Sequence, residues 1–171
     1  MAEADGPATL RYNIASDPPS LDPSLATDTT SINVINELFL GLTELDPDTQ
    51  EATPMLATSW EANEDQTVWT FTLRDDVPWV KYDAETGAIG QVMDADGNPR
   101  FVTAGDIVYS VQRTCNAETA SDYAYVLYVI AGCEAANTGE GAPADVGVVA
   151  IDDATVQFTL NYGAGFFPQI A

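Results

Sequence analysis

The chain contains no histidine and only five basic residues, of which Lys81 is the single lysine. Without histidine there is no Ser–His or Cys–His nucleophile pair, no imidazole general base and no imidazole metal ligand. Lys81 stands in no motif that would support Schiff-base chemistry. Against the five basic residues stand 27 Asp and Glu, a formal net charge of −22. A surface of that sign repels phosphate backbones and anionic lipid, which argues against nucleic-acid and membrane-surface binding. It is compatible with high solubility, with cationic partners and with a high-salt habitat. No stretch approaches the roughly 20 apolar residues that a membrane-spanning helix needs. Cysteine is scarce too. Cys115 and Cys133 are the only two, and their spacing fits no zinc or thioredoxin pattern. They form either a disulfide, contributing about 3 kcal/mol by closing a short loop, or a pair of buried thiols.

What remains is enough for a folded domain. The chain has 171 residues, 46% of them apolar, which is sufficient for one core and unlike a disordered acidic tail. "MAEADGPATL" lacks the charged start and apolar run of a signal peptide and reads as a mature N-terminus behind an added or initiator methionine. "NYGAGFFPQIA" stops on apolar residues and reads as a chain cut in mid-fold.

Patterning places the elements. "TLRYNIAS", residues 9–16, is expected as a short strand, and "DPPSLDPSLATDTT" as an irregular loop stiffened by Pro18, Pro19 and Pro23. A helix follows, capped by Thr29 or Thr30, with Ile32, Ile35, Leu38 and Phe39 on one face and Gly41 as its stop. "ELDPDTQEATP" is a turn-rich connector, and the stretch after Met55 starts helix-like. "TVWTFTL" alternates, with Trp69, Phe71 and Leu73 on one side; "DDATVQFTL" repeats the pattern with Val156, Phe158 and Leu160. Both follow an acidic turn, so they are expected in one sheet. Residues 82–102 hold a hairpin-bearing insertion. "TAGDIVYSVQR" is the clearest helix, with Thr103 and Asp106 at capping-box spacing and Ile107, Val108 and Val111 as its buried stripe. "SDYAYVLYVIAGCEAAN" is expected as a largely buried helix, "TGEGAPADVG" as a loop and "VVAID" as a strand. That order is an α+β, mixed pattern.

No motif carries catalysis. Asp75 and Asp76 follow Arg74 at a strand end, where neighbours point to opposite faces; a solvated turn with Arg74 pairing locally is the expectation. "DADGN", residues 94–98, is superficially like a calcium loop, but the positions that need Gly and Glu hold Pro99 and Gly105, and Asp-Gly is ordinary hairpin-turn chemistry. "GEG" at 139–141 lacks the third glycine of a dinucleotide site. Trp60, Trp69 and Trp79, with Tyr123, Tyr125 and Tyr128, are expected mostly in the core, Trp79 being the most exposed of the tryptophans. The loop at 17–31 is dense in hydroxyls and carboxylates and lies just before a helix, a composition that presents hydrogen-bonding groups at low entropy cost.

Five blocks, "LRYNIASDPPSLDPSLATD", "LFLGLTELD", "PMLATSWEANEDQTVWTFTLRDDVPW", "VTAGDIVYSVQR" and "VVAIDDATVQFTL", together span nearly the whole chain. In that order they resemble the family 5 extracellular solute-binding proteins, receptors of the peptide, dipeptide and nickel type that feed ABC importers. The resemblance implies part of a periplasmic-binding-protein-like type II fold. Residues 1–30 would be the first strand and cleft-bordering loop of the main lobe, 31–160 the inserted α+β subdomain with its hairpin-bearing insertion at 81–100, and 161–171 the return towards the main lobe. The family is longer and two-lobed, so the opposing lobe of the same polypeptide is a missing partner. By that resemblance Ser20, Asp22, Thr27, Asp28 and Thr29 are the ligand-proximal candidates, with no catalytic residue, metal or cofactor. It also implies an extracytoplasmic location, periplasmic or lipid-anchored at the cell surface, where the disulfide Cys115–Cys133 is the expectation. The function implied is non-covalent capture of a solute, an oligopeptide or dipeptide first, for delivery to the permease subunits of an ABC transporter. The alternative is a self-contained extracellular adhesion or Ca²⁺-stabilised module.

Overall fold

A computed structural model describes residues 11–171; readings that fall on residues 1–10 lie outside the described residues. At the centre is a four-stranded antiparallel sheet of β3 (Ala57–Ala62), β4 (Val68–Leu73), β8 (Thr155–Thr159) and β7 (Val148–Asp152), in that spatial order. The two alternating segments are neighbours in it, as expected: β4 pairs with β8 so that Trp69 faces Phe158 and Phe71 faces Val156. Their apolar sides point the same way, and Trp69, Phe71, Leu73, Val156 and Phe158 are all buried. Phe167, in a 3₁₀ turn near the C-terminus, closes the cluster; its ring centroid lies 5.1 Å from that of Phe158, 6.1 Å from Phe71 and 6.4 Å from Trp69. Helix α2 (Ala104–Thr114) packs on β7 and β8 with Ala104 fully buried and Ile107, Val108 and Val111 against the core. The Asp106 carboxylate accepts the Thr103 N–H at 3.0 Å, the backward-reaching half of a capping box. Cys115, just past α2, is joined to Cys133, which opens α3 (Cys133–Thr138), by a disulfide whose Cα atoms are 5.1 Å apart.

Several expectations are corrected. The strand read at 9–16 is absent over its described part, 11–16, because no strand of the described residues offers it a ladder. Helix α1 (Thr29–Leu38) is capped by Asp28, whose carboxylate accepts the Ser31 N–H at 2.9 Å; Thr29 and Thr30 are its first turn. It ends at Leu38, before Gly41, and only Ile35 of its apolar face is buried. The start after Met55 is strand β3, since Trp60 and Ser59 are weak helix formers and β4 would otherwise have an open edge. The connector at 44–54 is a hairpin of β1 (Thr43–Leu45) and β2 (Ala52–Pro54), with the Asp46 carboxylate accepting the Asp48 and Thr49 N–H groups in its turn.

The largest correction concerns 121–138. In place of one buried helix there is a 3₁₀ turn at Ala124–Leu127, a further turn in which Ile130 forms an isolated antiparallel bridge with Leu160, and short α3. The Ala131 N–H donates to the Thr159 carbonyl and the Asn161 N–H to the Val129 carbonyl, both at 2.9 Å, so these residues hydrogen-bond to the end of β8 rather than to a helix turn. Gly132 then turns with φ +76°, where an added Cβ would sit 2.6 Å from the Asp145 carbonyl oxygen. Tyr123 and Tyr125, expected inside, are exposed.

The 81–100 region forms an arm: β5 (Val80–Tyr82) pairs with β6 (Ile89–Gln91), every residue of both is exposed, and a second turn sits at Asp94–Asn98. The whole is a mixed α+β arrangement. No helix of the described residues is long and apolar enough to cross a membrane.

Candidate functional site

Four of the five candidate residues lie on the loop that enters α1 and Thr29 is the first residue of that helix; the carboxylates of Asp22 and Asp28 have defined structural partners. Asp22 forms a bidentate ion pair with Arg113 at the end of α2, with N–O distances of 2.8 and 2.6 Å. One of its oxygens also accepts the Ser24 N–H at 3.0 Å. The Ser20 hydroxyl accepts the Asp22 N–H at 3.1 Å, and the Asp22 carbonyl accepts the N–H groups of Leu25 and Ala26 at 3.0 Å. Asp28 is the α1 cap. Thr27 and Thr29 have exposed side chains on either side of it, and the Thr27 carbonyl lies 3.5 Å from the Tyr123 hydroxyl. Ser20 and Asp22 therefore share one turn, while Thr27, Asp28 and Thr29 share the helix entrance.

The Arg113 guanidinium beside Asp22 holds its carboxyl below the usual value, against the opposing effect of partial burial and with help from the Ser24 N–H. A depressed folded-state pKa means that the stabilisation is present above the unfolded value and is lost as pH falls through the folded one. Asp22→Asn is therefore expected to lower stability at pH 7 by about 1 kcal/mol, or roughly 2–4 °C in melting temperature. The gap to wild type should close as pH drops below about 3.9, and melts of both proteins at pH 7 and pH 3 check it.

Arg113 is the residue the sequence reading passed over, taking it only as the end of a helix. Its signal was scarcity: in a chain this acidic, each arginine has many carboxylates to pair with. Among the described residues, Arg74, Arg100 and Arg113 are each in an ion pair. Arg74 pairs with Asp76 in the open, at 2.5 and 2.9 Å, the local turn pairing expected of that cluster. Arg100 bonds Asp106 and covers the Trp79 ring at 5.5 Å, while Trp79 Nε1 donates to Asp106 at 3.3 Å. Burial would raise the Asp106 carboxyl, but the Thr103 N–H, Trp79 and Arg100 together outweigh it and its pKa is lowered. This knot fastens the exposed arm to α2. In the "DADGN" turn the Asp94 carboxylate accepts the N–H groups of Asp96 and Asn98 at 2.9 and 2.8 Å, which is turn chemistry. No group of three or more Cys, Asp or Glu side chains is gathered as a metal shell among the described residues.

Two concavities adjoin these features. A polar, open hollow of about 530 Å³ lies beside the loop, between Leu25, Tyr109, Arg113 and Asn116. An apolar groove of about 400 Å³ runs between the end of α1 and the base of the arm, past Leu38, Leu40, Trp79, Tyr82 and Ile107. Among the described residues each is lined by a single carboxylate, Glu118 in the polar hollow and Asp106 in the apolar groove.

The model of the family described as bacterial extracellular solute-binding proteins, family 5 middle, matches residues 51–171. The oligopeptide-binding protein OppA of Bacillus subtilis is 37% identical over 168 residues, 98% of this chain and 28% of that protein. The periplasmic oligopeptide-binding protein OppA of Escherichia coli is 40% identical over 164 residues, 95% of this chain and 27% of that protein. Among solved structures, Listeria monocytogenes OppA bound to peptide superposes with a TM-score of 0.72 at 30% identity, covering 88% of this chain and 26% of that one. The chain thus spans 27–28% of the length of these two curated relatives.

Proposed function

The chain belongs to family 5 of the bacterial extracellular solute-binding proteins, and on that premise we propose that it is part of a receptor that captures a peptide outside the cytoplasm for an ABC importer. The observation that carries this reading is the similarity, over 98% of the chain, to an oligopeptide-binding protein. Under it, the family's two-lobed type II fold applies. The residues up to about 30 belong to the main lobe, 31–160 are the inserted subdomain, and the stretch from 161 leads back to the main lobe.

The mechanism follows from the chemistry present. A peptide offers N–H and C=O groups along its whole length, and a loop of hydroxyls, carboxylates and free backbone groups can match them without reference to side-chain identity. Ser20, Asp22, Thr27, Asp28 and Thr29 border the cleft in this reading. With the Asp22 and Asp28 carboxylates already engaged, direct contacts fall first to the exposed helix entrance at Thr27 and Thr29. Closure of the opposing lobe about a hinge traps the ligand and excludes water, and reopening at the permease releases it. No covalent step is involved. The disulfide suits an oxidising, extracytoplasmic compartment, periplasmic or membrane-anchored. The partners are the peptide, the permease subunits and the opposing lobe.

The test compares thermal melts of the 171-residue chain and of the longer polypeptide encoded by its gene, each with unmodified alanine peptides of two to five residues. A ligand at about 100 times its Kd stabilises by about 2.7 kcal/mol, so the longer polypeptide should melt several degrees higher with at least one peptide while the short chain does not shift. If no peptide shifts the longer polypeptide, or if peptides are hydrolysed, the reading is wrong. A shift of the short chain with Ca²⁺ alone would favour a self-contained module.

A further inference from the structure

The ligand-proximal loop has little backbone structure of its own. Three prolines between residues 18 and 23 remove donors, and among the described residues the backbone–backbone hydrogen bonds within 17–27 are the two that the Asp22 carbonyl accepts. Its shape must therefore be set by side chains, and the ties across the chain converge on one short stretch. The Asp22 carboxylate is gripped by both terminal nitrogens of Arg113. The hydroxyls of Ser24 and Thr114 are 2.9 Å apart. Thr114 Oγ1 also donates to the Ser110 carbonyl at 3.0 Å, so Ser24 is the donor in that pair. The Tyr123 hydroxyl reaches the Thr27 carbonyl at 3.5 Å. The receiving stretch is itself immobilised, because the next residue, Cys115, is fully buried and bonded to Cys133.

We propose that Arg113 is a positioning residue for ligand binding: with Thr114 behind it, its fork clamps Asp22 and so holds the 20–29 loop in the shape that presents Thr27 and Thr29 to the ligand. This rests on the functional reading above. A planar guanidinium presents two parallel donors to a carboxylate, which fixes the direction as well as the distance of the loop; a lysine at the same place would supply charge without that orientation. The disulfide, α2 and the loop then form one continuous support running from the core of the sheet to the cleft edge. A ligand meeting a preorganised loop does not bear the cost of ordering it.

The experiment uses the longer polypeptide encoded by the gene and the same alanine peptides, with affinity from calorimetry and amide hydrogen exchange for the loop. Arg113→Gln and Asp22→Asn should each weaken binding about tenfold, and the double variant should be no weaker than either single one, because the two act as a unit. Arg113→Lys should fall between Arg113→Gln and wild type. Exchange at the Leu25 and Ala26 amides should accelerate in Arg113→Gln while the Phe71 and Val156 amides keep their protection. Unchanged affinity with unchanged loop exchange overturns the proposal. So do additive losses in the double variant, and so does a loss of protection throughout the sheet, which would mean a general stability effect. If the wild-type protein binds none of the peptides, the peptide reading fails by itself. The clamp is then judged on exchange alone, with unaltered protection at Leu25 and Ala26 in Arg113→Gln counting against it.

Discussion

Replacing Phe167 with alanine is expected to destabilise the chain by about 3–5 kcal/mol, a fall of roughly 6–20 °C in melting temperature. The ring is 1% exposed and meets Trp69, Phe71 and Phe158 in tilted or edge-to-face contacts. Truncation removes both its burial and those contacts, and the surrounding strands cannot collapse into the space because their registers are hydrogen-bonded. The neighbouring Phe166 is 46% exposed, and its replacement by alanine should stay within about 0.5 kcal/mol. The contrast between adjacent phenylalanines is the test. Equal effects would mean that the C-terminal turn does not dock as described. The docking has a second anchor, the buried Thr43 hydroxyl, which donates to the Pro168 carbonyl and ties the same turn to β1.

Replacing Cys115 and Cys133 together by alanine should cost about 3 kcal/mol, the chain-entropy value for a loop of this length, and lower the melting temperature by roughly 6–12 °C. The cysteines are 18 residues apart in sequence and both are fully buried. The reduced wild-type protein should resemble the double variant. Local consequences should be uneven: the disulfide joins the end of α2 to the start of α3, so the irregular stretch between them loses its tether while β4 and β8 keep their ladder. Melts with and without reductant check the size of the effect, and hydrogen exchange checks its location. An unchanged melting temperature would mean that packing around the two side chains already holds the segment.

The corrections to the sequence reading share a cause. From Tyr123 to Ile130 the residues are apolar nearly all round, which suits a buried helix, yet the stretch is divided because the Ala131 N–H and Val129 carbonyl are hydrogen-bonded to the end of β8 and the residues after it. At Met55 a helix-like start becomes β3 because β4 offers an edge. At α1 the threonines looked like caps, but Asp28, one residue earlier, takes the Ser31 N–H. In each case the backbone had more than one acceptable local partner, and a distant or adjacent competitor won. The loop at 17–31 was legible as polar and stiff; that Asp22 is clamped by Arg113, 91 residues away, was not.

The sequence by itself determined what depends on composition and local period. It excluded histidine chemistry, pointed to an acidic surface, placed β4, β8 and α2 with their buried faces, and carried the blocks by which the family is recognised. Those properties reside in single residues or in spacings of two to four, which the chain carries without folding. Tertiary structure alone decided which side chains of the candidate loop are free and which are held. An ion pair, a cross-chain hydroxyl bond or a docked phenylalanine exists only when segments remote in sequence are brought within a few ångströms, and that proximity comes from burying the sheet's aromatic face.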